Sequence, residues 1–167
     1  LYLLNTRFRS TIQGRSSTLC NIKVFSKQCS EKLDPEGFKF YKDLVSRYIS
    51  LEFFEEEALD SLFRLSAGLV RDMIRLTADA CGRAHIDGAD KVSTDHVEEI
   101  WNQEMRYFQD VLDEAHYPLL ERIEENPKPK GLEELATLIF LKAAVCYPNG
   151  VGWYGVHPAV RRFMRES

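Results

Sequence analysis

Apolar residues recur at helical spacing along much of the chain, and this periodicity constrains the fold more than any other feature. Within residues 38–49, 58–63, 69–84 and 97–115, apolar side chains fall three or four positions apart. Such spacing gathers them on one face of an α-helix. Hydrophobic residues make up 44% of the sequence, so these faces can bury one another in a core. We therefore predict a mainly α fold.

Capping residues mark where the first helices begin. Asp34 followed by Pro35 predicts a helix start, because Asp accepts first-turn amides and Pro fits the first helical position. A second helix is expected from about Glu55, whose neighbouring glutamates suit the positive end of the helix dipole. Ser66 is expected to cap a third helix over 68–85.

Proline and asparagine-glycine signals divide the rest of the chain. Thr94 is expected to cap a long helix that Pro118 ends or kinks, because proline lacks the amide that a helix interior uses. Shorter helices are predicted at about 119–125 and 132–144. A β-hairpin around an Asn-Gly turn follows, with strands at 145–147 and 151–156, and a last helical segment covers 158–165.

The segment Asn21-Ile22-Lys23-Val24-Phe25 alternates apolar and polar residues, which predicts a strand. A single strand of this length is unstable without neighbours. The chain offers few other strands to pair with it, so we expect that its sheet belongs to a part of the protein outside this sequence.

Charge, cysteine and hydropathy patterns limit the classes of function. The net charge is −4, so the whole chain is not a basic nucleic-acid binder, although Arg161, Arg162 and Arg165 make its end locally basic. None of the four cysteines has a CxxC partner, which predicts neither a metal site nor a disulfide framework and favours a reducing, cytoplasmic setting. No apolar run approaches the length of a membrane span.

Four segments resemble the carboxy-terminal half of AAA+ P-loop ATPases, in particular the STAND-like and origin-recognition-like groups. Residues 65–72 (LSAGLVRD) are similar to the second-sensor motif, with Ala67 where the family often has a second glycine. Residues 21–25 resemble a late strand of the ATPase core, 44–49 resemble the first lid helix, and 147–158 resemble a terminal hairpin.

The resemblance implies three regions. Residues 1–33 would be a remnant of the ATPase core, 34–100 a helical lid bundle, and 101–167 a small winged-helix-like domain with a C-terminal β-hairpin. The first residue is Leu1 rather than Met, which fits a fragment. No GxxxxGK(S/T) phosphate loop is present, so we expect this part to be inactive alone. ATP and Mg²⁺ are expected only in the full-length protein, where the missing core is the first partner.

The family also implies a role for Arg71, whose counterpart reaches from the lid to the γ-phosphate of ATP. A guanidinium suits that task, because it is always charged and donates several hydrogen bonds to phosphate oxygens. Arg75, one turn later, is the alternative. Arg47 resembles a subunit-bridging arginine, but pairing with a glutamate on the next helix is the simpler expectation.

The sequence of the winged-helix-like end does not decide whether its partner is DNA or protein. If it binds DNA, the residues expected to touch phosphates are Arg161, Arg162 and Arg165. The hairpin itself has no Lys or Arg and the helix before it offers only Lys142, which favours contact with a protein, an oligomer partner or the rest of the chain. A stand-alone winged-helix module that binds DNA or protein is the alternative to the ATPase hypothesis.

Overall fold

The computed structural model describes residues 21–26, 29–128, 133–147 and 152–166. Within these ranges the chain is mainly helical and has a small two-stranded antiparallel sheet near its C-terminus. This confirms the predicted mainly α class, and the winged-helix-like arrangement stays a prediction. The described residues form two compact units. We call residues 22–110 and 158–166 the helical unit, and residues 21 and 111–157 the hairpin unit.

The helices lie close to their predicted positions. Asp34 caps the first one, where its carboxylate accepts a hydrogen bond from the Gly37 amide at 3.0 Å, and the second begins just after Glu55. The helices are α1 (Pro35–Val45), α2 (Glu56–Leu65), α3 (Val70–Ile86), α4 (Thr94–Val111), α5 (Tyr117–Glu125), α6 (Glu133–Phe140) and α7 (Pro158–Glu166).

The predicted strand at 21–25 finds its partner within the chain, which corrects the expectation of a distant sheet. β1 (Phe25–Ser26) pairs antiparallel with β2 (Cys29–Leu33), a segment for which no element was predicted. The ladder takes in only the end of the predicted strand. Beyond it, the Asp34 amide donates to the Val24 carbonyl at 2.7 Å. The pairing is therefore local, because β2 is the next described segment of the chain after β1.

Two glycines let the extended segment 22–24 approach the helices closely. The Ile22 amide donates to the Gly68 carbonyl at 2.8 Å. A Cβ atom at Gly68 would lie 1.8 Å from the Ile22 carbonyl oxygen, and one at Gly37 would lie 2.0 Å from that of Lys23. Both distances are far below van der Waals contact, so any larger residue would push the backbone segments apart.

Aromatic packing fills the core between α1, α2 and α3. The rings of Tyr41 and Phe63 are stacked with centroids 5.4 Å apart, and Phe38 packs on Phe63 at 5.5 Å. The Tyr41 hydroxyl hydrogen-bonds to the Thr77 hydroxyl at 2.9 Å, and Thr77 also donates to the Met73 carbonyl. The buried hydroxyl is thus satisfied inside the core, as buried polar groups generally are.

The hairpin unit contains the predicted terminal hairpin. β3 (Ala144–Tyr147) pairs antiparallel with β4 (Trp153–Val156), and the Tyr147 and Trp153 rings stack at 4.3 Å. The Asn-Gly turn itself lies outside the described residues. Helix α5 packs against β4 and helix α6 against β3. The hairpin therefore rests on both short helices.

Two predicted helix boundaries were wrong. Ser66 ends α2 rather than capping α3: its hydroxyl donates to the Phe63 carbonyl at 2.7 Å and accepts from the Gly68 amide at 3.2 Å. Pro118 does not end the long helix, which stops at Val111. It lies in the first turn of α5, where its missing amide costs nothing.

The observed units also divide the chain differently from the predicted regions. The predicted boundary between 100 and 101 falls inside α4, and α7 packs on α2 and groups with the helical unit. No helix in the described parts of the chain is both long and apolar enough to cross a membrane.

Candidate functional site

Arg71 is the second residue of α3, and its side chain is exposed. No described residue forms an ion pair or hydrogen bond with its guanidinium. A positive charge in the first turn of a helix faces the positive end of the helix dipole, which costs about 0.3–1 kcal/mol. The side chain therefore stands at the surface, and no interaction with a described residue offsets this cost.

The turn before α3 fixes where Arg71 is presented. Ala67 and Gly68 both have positive φ, at 50° and 78°. The Leu69 amide donates to the Ser66 carbonyl at 2.9 Å, and the Ile22 amide holds the Gly68 carbonyl. No side chain caps the start of α3. An exposed guanidinium thus lies next to a helix N-terminus that no side chain caps, an arrangement that can bind an anion.

Arg75, the alternative to Arg71, is held by three carboxylates. Its guanidinium lies 2.9 Å from Glu104, 3.4 Å from Asp79 and 3.5 Å from the buried Asp72. Burial alone would lower the pKa of Arg75, but the hydrogen bond and charge of Glu104, with the charges of Asp72 and Asp79, raise it above its ordinary value. Arg75 therefore joins α3 to α4 and is not available to a ligand.

Arg47 lies in the turn that follows α1 and is exposed. The glutamate partner expected for it is not found among the residues that the structure describes. Arg47 therefore has no observed role in holding the helices together, and it is a useful control for the other arginines.

A second group of arginines lines a cavity of about 290 Å³ in the helical unit. The sequence predicted three of them as phosphate contacts, and the structure brings these together on α7. The wall also includes residues from β1, α2 and α4. We call this cavity the arginine pocket; its main lining residues are Phe25, Arg64, Trp101, Arg161, Arg162 and Arg165.

Two of the pocket arginines lie over aromatic rings. The Arg161 guanidinium carbon is 5.9 Å from the centroid of Phe25, and that of Arg162 is 5.7 Å from the centroid of Trp101. Both rings are largely buried, and the indole N–H of Trp101 donates to the Ser61 hydroxyl at 2.8 Å. The rings are thus fixed in place, and guanidinium groups over such faces gain about 0.5–1 kcal/mol at exposed sites.

Carboxylates hold some of these arginines as well. Arg162 donates to Glu98 on α4 at 3.0 Å and to Glu166 on its own helix at 2.9 Å. The hydrogen bonds that Arg162 donates to Glu98, and then to Glu166, raise the pKa of Arg162 above its ordinary value. Arg64 is bound to Asp60 at 2.9 Å. Arg165 is exposed and forms no ion pair with any described residue.

Histidine and cysteine positions offer no metal centre in the described ranges. No three or more His, Cys, Asp or Glu side chains there lie close enough together to hold an ion. His96 and His116 each accept a backbone hydrogen bond through Nδ1, from Ser93 at 2.9 Å and Asp113 at 3.0 Å. Both therefore cap helical turns. Burial raises the pKa of the Cys81 thiol, which disfavours a reactive thiolate.

A scan against protein-family models and searches of curated proteins and of solved structures find no match to this chain. The geometry leaves two candidate sites in the described part of the helical unit, the start of α3 and the arginine pocket. At the start of α3, one exposed cation has no described partner. In the arginine pocket, several cations converge and most of them are already held by rings or carboxylates.

Proposed function

We propose that this chain is a regulatory part of a P-loop ATPase of the AAA+ type, with the helical unit acting as its lid. In this proposal Arg71 contacts the γ-phosphate of ATP bound by a core domain of the same protein. The observation that supports it is the exposed, unpartnered Arg71 at a fixed helix start that no side chain caps. The chain has no phosphate loop of its own, so catalysis belongs to the whole protein.

The energetics of one such contact suffice for a switch. A hydrogen bond to a charged group contributes about 1.5–3 kcal/mol, which shifts a two-state equilibrium by roughly ten- to a hundredfold. With the γ-phosphate present, Arg71 holds the lid against the core, and after hydrolysis that tie is lost. The pairing of β1 with β2 removes the unpaired strand as support, so the proposal depends on Arg71.

The test uses the full-length protein, with Arg71→Ala, Arg71→Lys and Arg47→Ala as the variants. We expect the protein to bind Mg-ATP more tightly than Mg-ADP, and Arg71→Ala to reduce this preference by about tenfold or more. Arg71→Lys keeps the charge but loses the forked donor geometry, so we expect a partial loss. Arg47→Ala should change nothing.

Two results would contradict the proposal. One is a full-length protein that binds no Mg-ATP. The other is an Arg71→Ala variant that discriminates ATP from ADP as well as the parent does.

For the hairpin unit we propose a winged-helix-like docking element that contacts protein rather than DNA. Neither β3 nor β4 contains Lys or Arg, whereas DNA-reading elements are rich in basic and amide residues. Phe140 at the end of α6 is 69% exposed, as expected for a residue that a protein partner covers. We expect no DNA binding at low salt. Affinity that falls steeply with salt and drops on Arg161→Ala would instead favour a stand-alone DNA-binding module.

A further inference from the structure

We propose that the arginine pocket binds a phosphomonoester, that is, a terminal phosphate group carried by a small molecule. Its residues lie on β1, α2, α4 and α7 and do not include Arg71, so this site is separate from the one proposed to sense ATP. The two proposals can therefore fail independently. Three features of the pocket support this site: arginines held over aromatic rings, an arginine with no described carboxylate partner, and a cavity of about 290 Å³.

Two largely buried aromatic residues restrict the pocket arginines. The rings of Phe25 and Trp101 are 9% and 8% exposed, and the guanidinium groups of Arg161 and Arg162 lie above them. The N–H groups of Arg162 are in addition held by Glu98 and Glu166. A ligand therefore meets donors that are already oriented, and less conformational entropy is lost on binding.

The charge comes from the outer part of α7. Arg165 is exposed and pairs with no described carboxylate, so it can accept an anion without breaking an observed ion pair. Arg162 is shared between Glu98 and Glu166, and the Glu166 side chain is 54% exposed. Exposed pairs of this i,i+4 type contribute little to stability. Glu166 is therefore the carboxylate that a stronger anion can displace.

The identity of that anion follows from the comparison with Glu166. A phosphodiester carries one charge and two free oxygens, which matches a carboxylate and gives no advantage in displacing one. A phosphomonoester carries up to two charges at neutral pH and has three acceptor oxygens. It can contact Arg162 and Arg165 together. The cavity of about 290 Å³ exceeds the volume of a phosphate group and leaves room for the organic part of the ligand.

The test measures binding of phenyl phosphate, inorganic phosphate and dimethyl phosphate to the 167-residue chain by calorimetry. We expect phenyl phosphate to bind at least tenfold more tightly than dimethyl phosphate. Its affinity should fall as the pH drops through about 6, where the phosphate loses its second charge. A 5′-phosphorylated oligonucleotide, compared with its 5′-hydroxyl form, shows whether a nucleic-acid end can supply the same group.

The variants locate the site. Arg165→Ala is expected to weaken phenyl phosphate binding about tenfold, and because the side chain is exposed and has no observed ion pair, the fold should be unaffected. Glu166→Gln should tighten binding severalfold by removing the competing carboxylate. Arg47→Ala and Arg71→Ala should leave it unchanged.

Three outcomes would overturn the proposal. They are no binding at millimolar phenyl phosphate, equal affinity for the monoester and the diester, and insensitivity to both Arg165→Ala and Glu166→Gln. Loss of binding in Arg71→Ala alone would move the site to the start of α3, and the pocket would then have no role in binding.

Discussion

The start of α3 and the arginine pocket both present guanidinium groups, but the chain positions them by different means. At the start of α3 the backbone sets the geometry: segment 22–24 lies directly against Gly37 and Gly68, and the Arg71 side chain makes no observed contact. In the pocket the side chains set it, because rings and carboxylates hold Arg161 and Arg162.

The two regions therefore differ in which groups stabilise the fold and which would bind a ligand. Removing the Arg71 side chain should not affect folding, whereas substituting Gly37 or Gly68 should be strongly destabilising. In the pocket, Arg162, which would bind a ligand, also helps to join α7 to α4. Substitutions can therefore show whether each region depends on its backbone or on its side chains.

The largest effect is expected for Gly68→Ala. The new Cβ would lie 1.8 Å from the Ile22 carbonyl oxygen, at a residue whose φ is +78°. Overpacking costs about 1–3 kcal/mol and a left-handed conformation adds about 1–2 kcal/mol, so we expect a loss of roughly 2–5 kcal/mol. Urea unfolding measures it. A loss below about 1 kcal/mol would show that segment 22–24 is not held as described.

Gly37→Ala tests the close approach of segment 22–24 alone. Gly37 lies in α1, so alanine fits its backbone conformation and only the added Cβ is unfavourable. Its Cβ would lie 2.0 Å from the Lys23 carbonyl oxygen, and we expect a loss of about 2–3 kcal/mol. Gly82→Ala is the matched control, since it is also helical but has no atom within 4 Å of its added Cβ. That variant should gain about 0.5–1 kcal/mol in unfolding free energy. If both substitutions changed the unfolding free energy in the same direction, the close contact at Gly37 would be refuted.

Tyr41 offers a test of the core beneath the α3 start in alkaline solution. Burial raises the pKa of Tyr41 far above its usual value, with the Thr77 hydrogen bond opposing this only in part. As pH rises above about 10, the unfolded chain loses this proton first, and stability falls by about 1.4 kcal/mol per pH unit. Tyr41→Phe should remove this slope while costing about 1 kcal/mol at neutral pH. Parallel pH profiles for both proteins would argue against the burial.

Arg162→Ala and Arg71→Ala compare the two regions directly. Arg162 loses its bond to Glu98 and its stacking on Trp101, for which we expect about 1 kcal/mol of destabilisation, reduced at high salt. Arg71 has no observed partner, so its removal should change the unfolding free energy by less than about 0.5 kcal/mol. Thermal and urea unfolding of both variants measure the two losses. A larger loss for Arg71→Ala than for Arg162→Ala would mean that Arg71, and not Arg162, stabilises the fold.

Local sequence signals were sufficient to predict most of the secondary structure. Helical periodicity located the helices, the Asp34-Pro35 pair marked the start of α1, and the pattern around 145–156 gave the terminal hairpin. The carboxylates that hold Arg75 were also partly readable, because Asp72 and Asp79 lie three and four residues away on the same helix.

Contacts between distant parts of the chain were not predictable in this way. Phe25, Arg64 and Trp101 lie far from α7 in the sequence, so nothing local indicated that they share a cavity with its arginines. The close approach of segment 22–24 to Gly37 and Gly68 likewise depends on how the helices pack. Ser66 was misassigned because a serine between two helices can bond to either, and the turn at 67–68 determines which.

The smallest effect is expected at the neighbour of Gly68. Ala67 also has positive φ, at 50°, and is fully buried. Ala67→Gly would relieve about 1 kcal/mol of strain, but it removes a buried methyl worth about 0.8 kcal/mol and adds freedom to the unfolded chain. These terms nearly cancel, so we expect a change of less than about 1 kcal/mol, measured by urea unfolding beside Gly68→Ala. If Ala67→Gly were as damaging as Gly68→Ala, contact of the Ala67 methyl with the core, and not the backbone of segment 22–24, would be what fixes the start of α3.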